Sequence, residues 1–309
     1  MWKTLYQQPN SEMAINTWGV MITVAFAAAA WVVHRRVKRV GIDPDKMVWL
    51  YVIAIVGGLA GARLLHFTMA TPEKFFSDPM AFFRLSEGGF ALYGGIIMAG
   101  LAGITYGIVR GIDPLKMSDA VFPAVLLGIA LGRVGCFFAG CCHGAAHALP
   151  DDAVALFPES FSGGQLWLVL GPPFLLELTR DGVGTNNVVV MATQLYEVSA
   201  ALVMFGVSSL LWRHRHFDGE VFGVSLMMYA IWRPFNESLR GDTVRGTTYL
   251  DWLPADWPVH TTSQVVSIPV FLAGALLVLL LALFRRRVSP EVPFTPTLEE
   301  TIEGSAPKL

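Results

Sequence analysis

Residues 118–138 of the chain read SDAVFPAVLLGIALGRVGCFF. They decide the fold class because, after Asp119, Arg133 is the only charged residue in an apolar run long enough to cross about 30 Å of hydrocarbon as a helix. Six other stretches share this length and character: 13–33, 47–69, 90–109, 190–212, 217–236 and 262–284. None alternates with period two, as a barrel strand would. The pattern therefore predicts an all-α integral membrane protein with seven transmembrane helices.

The composition of the whole chain agrees with this prediction. Of the 309 residues, 54% are hydrophobic and 15% are charged, against roughly 25% charged in soluble domains. These values exclude a soluble globular enzyme and a disordered chain. The net charge of -2 provides no basic field for a polyanion, so we expect no nucleic-acid partner.

The distribution of lysine and arginine predicts the orientation. Thirteen basic residues lie in the loops after the first, third and fifth spans or in the C-terminal tail, and six lie on the opposite side. Because cytoplasmic loops carry the excess of basic residues, we expect the N-terminus outside and the C-terminus in the cytoplasm.

Two segments outside the spans differ in composition. Residues 140–189 are rich in glycine and proline, and their apolar piece 165–178 is interrupted by Gly171-Pro172-Pro173, which argues against a spanning helix. We expect a small extracytoplasmic cap there, within a membrane domain of residues 1–288. The tail 289–309 is rich in Pro, Glu and Thr and is predicted to be disordered.

Three arginines, Arg63, Arg133 and Arg233, lie inside apolar spans. Each occupies the last third or the end of a span that is predicted to run outward. A charged side chain at such depth costs on the order of 3 kcal/mol unless it is paired or hydrated. A single arginine near a span end often only extends its head group to the interface. Three at one level are harder to explain in that way.

Other polar residues occur at the same level. The spans that run inward begin with Tyr93-Gly94-Gly95, with Gln194, Tyr196 and Glu197, and with Gln264. In the sixth span, Arg233, Asn236, Glu237 and Arg240 recur on one helical face. Glycines alone are more simply explained by helix packing. Because guanidinium groups match phosphate, we predict an outward-facing pocket for the phosphate of an outer-leaflet phospholipid.

Six short motifs follow one another along these spans. They are Gly61-Ala62-Arg63-Leu64-Leu65-His66, then residues 84–89 with Leu92-Tyr93-Gly94-Gly95, residues 131–140, Gln194-Leu195-Tyr196-Glu197, residues 229–233 with Glu237 and Arg240, and residues 264–269. In this order they resemble the motifs of the prolipoprotein diacylglyceryl transferase family, over about residues 13–284.

The resemblance implies a multi-pass enzyme of the bacterial inner membrane. Such an enzyme transfers the diacylglyceryl group of phosphatidylglycerol to the lipobox cysteine of a prolipoprotein at the outer face, without a cofactor. The expected partners are phosphatidylglycerol, the prolipoprotein signal peptide and membrane lipids. The expected catalytic residues are Arg133, Arg233, His66 and Tyr93. The expected substrate-binding residues are Arg63, Gly94, Gly95, Cys136, Gln194, Tyr196, Glu197, Glu237, Arg240 and Gln264.

The sequence departs from the family motifs at several positions. Tyr93 stands where the family has His, Cys136 and Ala139 where it has Asn, and Cys141 where it has Glu. His66 stands where the family has Tyr. An imidazole accepts a proton at neutral pH more readily than a phenol, so we predict that His66 is the general base and that Tyr93 donates a hydrogen bond to the lipid. The alternative for His66 is a packed or water-facing histidine. The alternatives for the protein are a divergent paralogue with a different acceptor and a non-catalytic lipid-binding or thiol/metal membrane protein.

Three cysteines, Cys136, Cys141 and Cys142, lie at the end of the fourth span, followed by His143. They have three explanations: small packing residues with one disulfide, a site for a soft metal, or a nucleophilic thiol. For a disulfide, Cys136–Cys141 is a better pair than the strained adjacent cysteines. The spacing is not that of a structural zinc motif, so we assign no metal ligand.

Overall fold

The computed structural model describes residues 4–7, 14–69, 71–84, 89–139, 141–142, 144, 146–147, 167–171, 175–181, 187–239 and 261–284. The helices in these ranges are α1 (Thr17–Arg39), α2 (Pro44–Met69), α3 (Pro72–Ser77), α4 (Leu92–Val109), α5 (Pro114–Ala139), α6 (Thr193–His214), α7 (Glu220–Ser238) and α8 (Thr262–Leu283). The predicted tail, Arg240 and His143 lie outside the described residues.

Six of these helices, α1, α2, α4, α5, α6 and α8, are long and apolar enough to cross a membrane. They confirm the prediction of an α-helical, multi-pass membrane protein. The sixth predicted span is also helical, as α7, but it is not one of the six, since Arg233, Asn236 and Glu237 lower its hydropathy. The seventh crossing and the orientation of the termini stay predictions.

The chain divides into two compact units, and α2 and α4 pack against each other in the unit of Val32–Ala120 and Ser289–Leu309. Glycines allow this close approach. A Cβ on Gly94 would overlap the carbonyl oxygen of Gly61 and the side chain of Leu65, and a Cβ on Gly95 would lie 3.1 Å from the carbonyl oxygen of Gly58. Small residues at such a crossing let two backbones touch.

The other unit comprises Met1–Trp31 and Val121–Val288. Its core joins Leu126 and Ala130 of α5 to Ala201 and Met204 of α6. The side chains of Tyr229 and Trp232 of α7 pack against this core. These contacts place one face of α7, which carries most of the predicted polar residues, beside α6.

Six short strands are described. They are β1 (Thr4–Gln7), β2 (Ala14–Asn16), β3 (Ala146–His147), β4 (Trp167–Gly171), β5 (Leu175–Asp181) and β6 (Asn187–Met191). β1 and β2 form an antiparallel pair, and the others form an antiparallel sheet in the order β3-β6-β5-β4. The described residues of the apolar piece of the predicted cap thus form strands. β4 and β5 pair on either side of the Gly-Pro-Pro interruption.

Candidate active site

Glu197, near the start of α6, is a fully buried carboxylate. Its Oε1 accepts a hydrogen bond from Tyr229 Oη at 3.4 Å. Its Oε2 accepts hydrogen bonds from Trp232 Nε1, at 3.4 Å, and from Asn236 Nδ2. The three donors share one face of α7 because they recur at helical spacing. A buried charge is tolerated when it is well hydrogen-bonded, so this carboxylate joins α6 to α7.

Arg233 lies on α7 between two acidic groups. Its Nη2 donates to Glu237 Oε2 one turn further along the helix, as predicted from the i,i+4 spacing. Its Nη1 lies 4.0 Å from Glu197 Oε2 and is buried without a hydrogen-bond acceptor among the described residues. A buried donor without an acceptor is costly. This nitrogen is therefore open to an oxygen atom from a ligand.

Arg133, in the last third of α5, is half-buried. It interacts electrostatically with Glu197, Cys136, Cys142 and Tyr229. Within the part of the chain that the structure describes, its guanidinium forms no hydrogen bond and no ion pair within 4.0 Å. Arg133 and Arg233 thus share the charge of Glu197, and both keep donors that suit the planar, multidentate recognition of a phosphate.

The N-terminal end of α6 holds the backbone that follows α5. Gln194 Nε2 donates to the carbonyl oxygen of Cys141 at 2.7 Å, and Thr193 Oγ1 donates to that of Cys142 at 2.8 Å. The Oε1 of Gln194 is buried and has no donor among the described residues. Gln194 therefore has a structural role and retains an acceptor. Tyr196 is half-buried on the same helix.

Cys136 lies one turn after Arg133, and none of the three cysteines is in a disulfide. Hydrogen bonds with the side chains of Cys136 and Cys142, and then removal from water, raise the pKa of the Cys141 thiol well above its ordinary value. The Cys136–Cys141 pair, which the sequence favoured over the adjacent cysteines for a disulfide, is not joined in this structure.

Arg63 belongs to the unit of Val32–Ala120 and is 2% exposed. Its guanidinium donates to four backbone carbonyls of the segment that precedes α4. These are Phe82 at 3.1 Å, Gly89 at 3.2 Å, Arg84 at 2.9 Å, and Ala81. The guanidinium also lies over the rings of Phe67 and Phe90. The structure gives Arg63 a role in holding this segment, and its expected contact with substrate stays a prediction.

His66 and Tyr93 lie in the same unit as Arg63. The His66 ring is half-buried, 5.8 Å from the ring of Phe67. It faces Gly89, where a Cβ would lie 2.5 Å from His66 Nε2. Gly89 has a φ of 78°, which a residue with a side chain rarely adopts. Tyr93 is half-buried in the first turn of α4, next to the Gly94 crossing.

Gln264 has a capping role in the structure. Its backbone N–H donates to Thr261 Oγ1 at 3.3 Å, and its Oε1 accepts from the Thr261 backbone N–H at 3.1 Å. This reciprocal pair is a capping box, which satisfies two backbone donors at the start of α8.

The structure thus brings together several of the predicted residues in one unit. They are Arg133, Cys136, Gln194, Glu197, Arg233 and Glu237. The other unit contains Arg63, His66, Tyr93, Gly94 and Gly95. Trp232 was not predicted as part of the site. Its signal is the stripe of Tyr229, Trp232 and Asn236, whose polar tips recur on one face of a helix.

Comparisons with known proteins give one consistent result. A family model described as prolipoprotein diacylglyceryl transferase matches residues 8–280. A phosphatidylglycerol–prolipoprotein diacylglyceryl transferase from Clostridium tetani is 28% identical over 264 residues, which cover 85% of this chain and 91% of the relative. Proteins of the same name from Corynebacterium glutamicum and Clostridioides difficile are 26% and 28% identical. Their matches cover 94% and 74% of this chain, and 86% and 80% of the relatives.

Proposed function

The chain belongs to the prolipoprotein diacylglyceryl transferase family, and we propose on this basis that it transfers the diacylglyceryl group of phosphatidylglycerol to a prolipoprotein cysteine. The family model covers most of the chain, and the relative from Clostridium tetani matches over 91% of its own length. The hydrogen bonding and charge environment of two arginines connect the proposal to particular residues. Arg233 Nη1 is buried without an acceptor among the described residues, and Arg133 interacts electrostatically with the same carboxylate, Glu197.

The chemistry explains why such donors are needed. The acceptor sulfur forms a bond to a glycerol carbon of the lipid, while the bond from that carbon to a phosphate oxygen breaks. Glycerol phosphate leaves and a thioether remains. Negative charge grows on the departing phosphate, and fixed cationic donors stabilise that charge more than they stabilise the bound lipid. We assign this role to Arg133 and Arg233, with Glu237 orienting Arg233 and Glu197 holding α7 in place.

The acceptor thiol must lose its proton before or during the attack. His66 is the candidate base, because its imidazole accepts a proton at neutral pH. Tyr93 is the candidate donor of a hydrogen bond to the lipid. The remaining candidates for contacts with the lipid or the signal peptide are Gly94, Gly95, Cys136, Gln194, Tyr196, Arg240 and Gln264.

We propose further that α7 crosses the bilayer as a seventh span, with the N-terminus outside and the site facing outward from the inner membrane. Two observations support this. The asymmetry of basic residues, thirteen on one side and six on the other, fits an odd number of crossings. Ile231 and Phe235 of α7 are 65% and 57% exposed, as expected of side chains that face acyl chains. Reporter fusions after residues 36, 110, 215 and 287 should all indicate cytoplasm, and an external signal from any of them contradicts this topology.

The transferase proposal is tested by complementation of a strain depleted of its own diacylglyceryl transferase. The chain should restore growth, and mass spectrometry should find diacylglyceryl-modified lipoproteins. The Arg133→Gln variant is the matched control and should restore neither. If the wild-type chain reaches the membrane but no modified lipoprotein forms, the acceptor is a different one or the protein is not catalytic.

A further inference from the structure

The three cysteines form a compact sulfur cluster. They are the only cysteines of the chain, and their Sγ atoms all lie within 4.8 Å of one another. Cys136 projects from the last turn of α5, while Cys141 and Cys142 follow that helix. None of the three is in a disulfide. Three sulfurs at these distances are available to a common ligand.

The backbone around the cluster is held in place by neighbouring groups. The Cys141 backbone N–H donates to the carbonyl oxygen of Cys136 at 3.2 Å. Gln194 and Thr193 hold the carbonyl oxygens of Cys141 and Cys142. Cys142 has a φ of 62° and is the one residue other than glycine with a positive φ in the described ranges. Such a backbone persists only where its surroundings enforce it, which is common at ligand sites.

We propose that Cys136, Cys141 and Cys142 bind a soft metal ion through three thiolates. A metal–thiolate bond of about 2.3 Å places three sulfurs around one ion about 4.0 Å apart. The observed limit of 4.8 Å is therefore within a small side-chain rotation of that geometry. Each thiol gives its proton to solvent as its sulfur binds the ion. The spacing in the sequence matches no structural zinc motif and left a soft-metal site as one of three explanations, and the fold adds the convergence of the three sulfurs.

The surroundings favour Cu(I) as the ion. Thiolates select soft ions such as Cu(I) and Zn²⁺. Zinc held by three thiolates needs a fourth ligand such as water, whereas three thiolates complete the shell of a three-coordinate Cu(I) ion. Three thiolates around one monovalent ion carry a net negative charge, and Arg133 interacts electrostatically with both Cys136 and Cys142. A nearby guanidinium stabilises thiolates and thus the charged complex.

The test is anaerobic titration of the reduced, purified protein with Cu(I), in competition with a chromophoric Cu(I) chelator. We expect one ion per chain. X-ray absorption should show sulfur ligands only, at about 2.3 Å. Maleimide labelling should modify three thiols without copper and none with it. Because the chain has no other cysteine, labelling reports on this cluster alone.

The variants make the proposal falsifiable. Cys141→Ser changes an exposed residue outside the helix and should weaken Cu(I) binding at least tenfold, and the variant with all three cysteines changed to serine should not bind. Both should keep the far-ultraviolet circular dichroism of the wild type. Copper binding by the triple variant equal to that of the wild type overturns the proposal. So does a reduced wild-type protein that binds Zn²⁺ but no Cu(I), or one that forms a disulfide instead of binding the ion.

Discussion

Replacing Arg63 by methionine removes a guanidinium that donates to the backbone carbonyls of Ala81, Phe82, Arg84 and Gly89. The bond to Ala81 is buried, and the other three are partly buried. A hydrogen bond to a charged group contributes about 1.5–3 kcal/mol, with the low end where water can take its place. Removing the buried charge also relieves a desolvation cost, which offsets part of the loss.

From these contacts we expect the free energy of unfolding to fall by roughly 3 kcal/mol. At about 2–4 °C for each kcal/mol, the melting temperature should drop by about 6–12 °C. The measurement is the intrinsic tryptophan fluorescence of the purified protein in detergent during a thermal ramp. Turnover should be measured well below the transition, with phosphatidylglycerol and a synthetic lipobox peptide. We expect turnover to be largely retained although the melting temperature falls.

Arg133→Met is the matched control, because it makes the same exchange within another apolar helix. Its guanidinium forms no hydrogen bond with the described residues, so the melting temperature should stay within about 2 °C of the wild type. Turnover should fall at least tenfold, which corresponds to about 1.4 kcal/mol. The reasoning fails if Arg63→Met melts like the wild type, or if Arg133→Met loses stability while turnover is retained.

Three more predictions concern the packing and the polar groups. Gly94→Leu should lower the free energy of unfolding by about 1–3 kcal/mol in the same melting assay. Gly100→Ala should be neutral, because a Cβ at Gly100 meets nothing within 4 Å. Equal effects of the two changes would contradict the close α2–α4 crossing. Glu197→Leu should cost about 3–5 kcal/mol, since Tyr229, Trp232 and Asn236 then lose their buried acceptor and Arg233 loses one of its two acidic neighbours. Unchanged melting would show that the carboxylate is dispensable. His66→Phe should cut turnover by at least about tenfold, and turnover within about threefold of the wild type would rule out His66 as the base. Tyr93→Phe should mainly raise KM for the lipid.

The apolar runs predicted where the long helices occur, but their ends less well. α2 begins at Pro44 rather than near residue 47, and α5 begins at Pro114 rather than near residue 118. α1 continues to Arg39, beyond the predicted end at residue 33. Hydropathy marks only the apolar part of a helix, while backbone hydrogen bonding continues into the polar layer. Proline is favoured at the first helical position, which explains two of these starts.

The site was less predictable because its contacts depend on the fold. The partners of Arg63 are backbone carbonyls, which have no residue-type signature. The pairing of Arg233 with Glu237 followed from their spacing in one helix, whereas the hydrogen bonds of Glu197 to Trp232 and Asn236 join two helices. Gln264 occupied a position that the family motif suggests for substrate, yet local geometry uses it to cap α8.

The buried hydrogen bonds between Glu197 and α7 also affect how the protein enters the membrane. At the translocon, a charged residue costs up to about 2.5–3.5 kcal/mol, with the largest cost at the centre of the helix. α6 emerges from the ribosome with Glu197, and α7 follows after a short connection with Arg233, Asn236 and Glu237. Each helix alone exposes charge to lipid, but together they satisfy it. With α7 as the proposed seventh crossing, the lowest-cost path is entry as a helical hairpin, so that the polar centre assembles during translation and its loss is seen first as reduced yield.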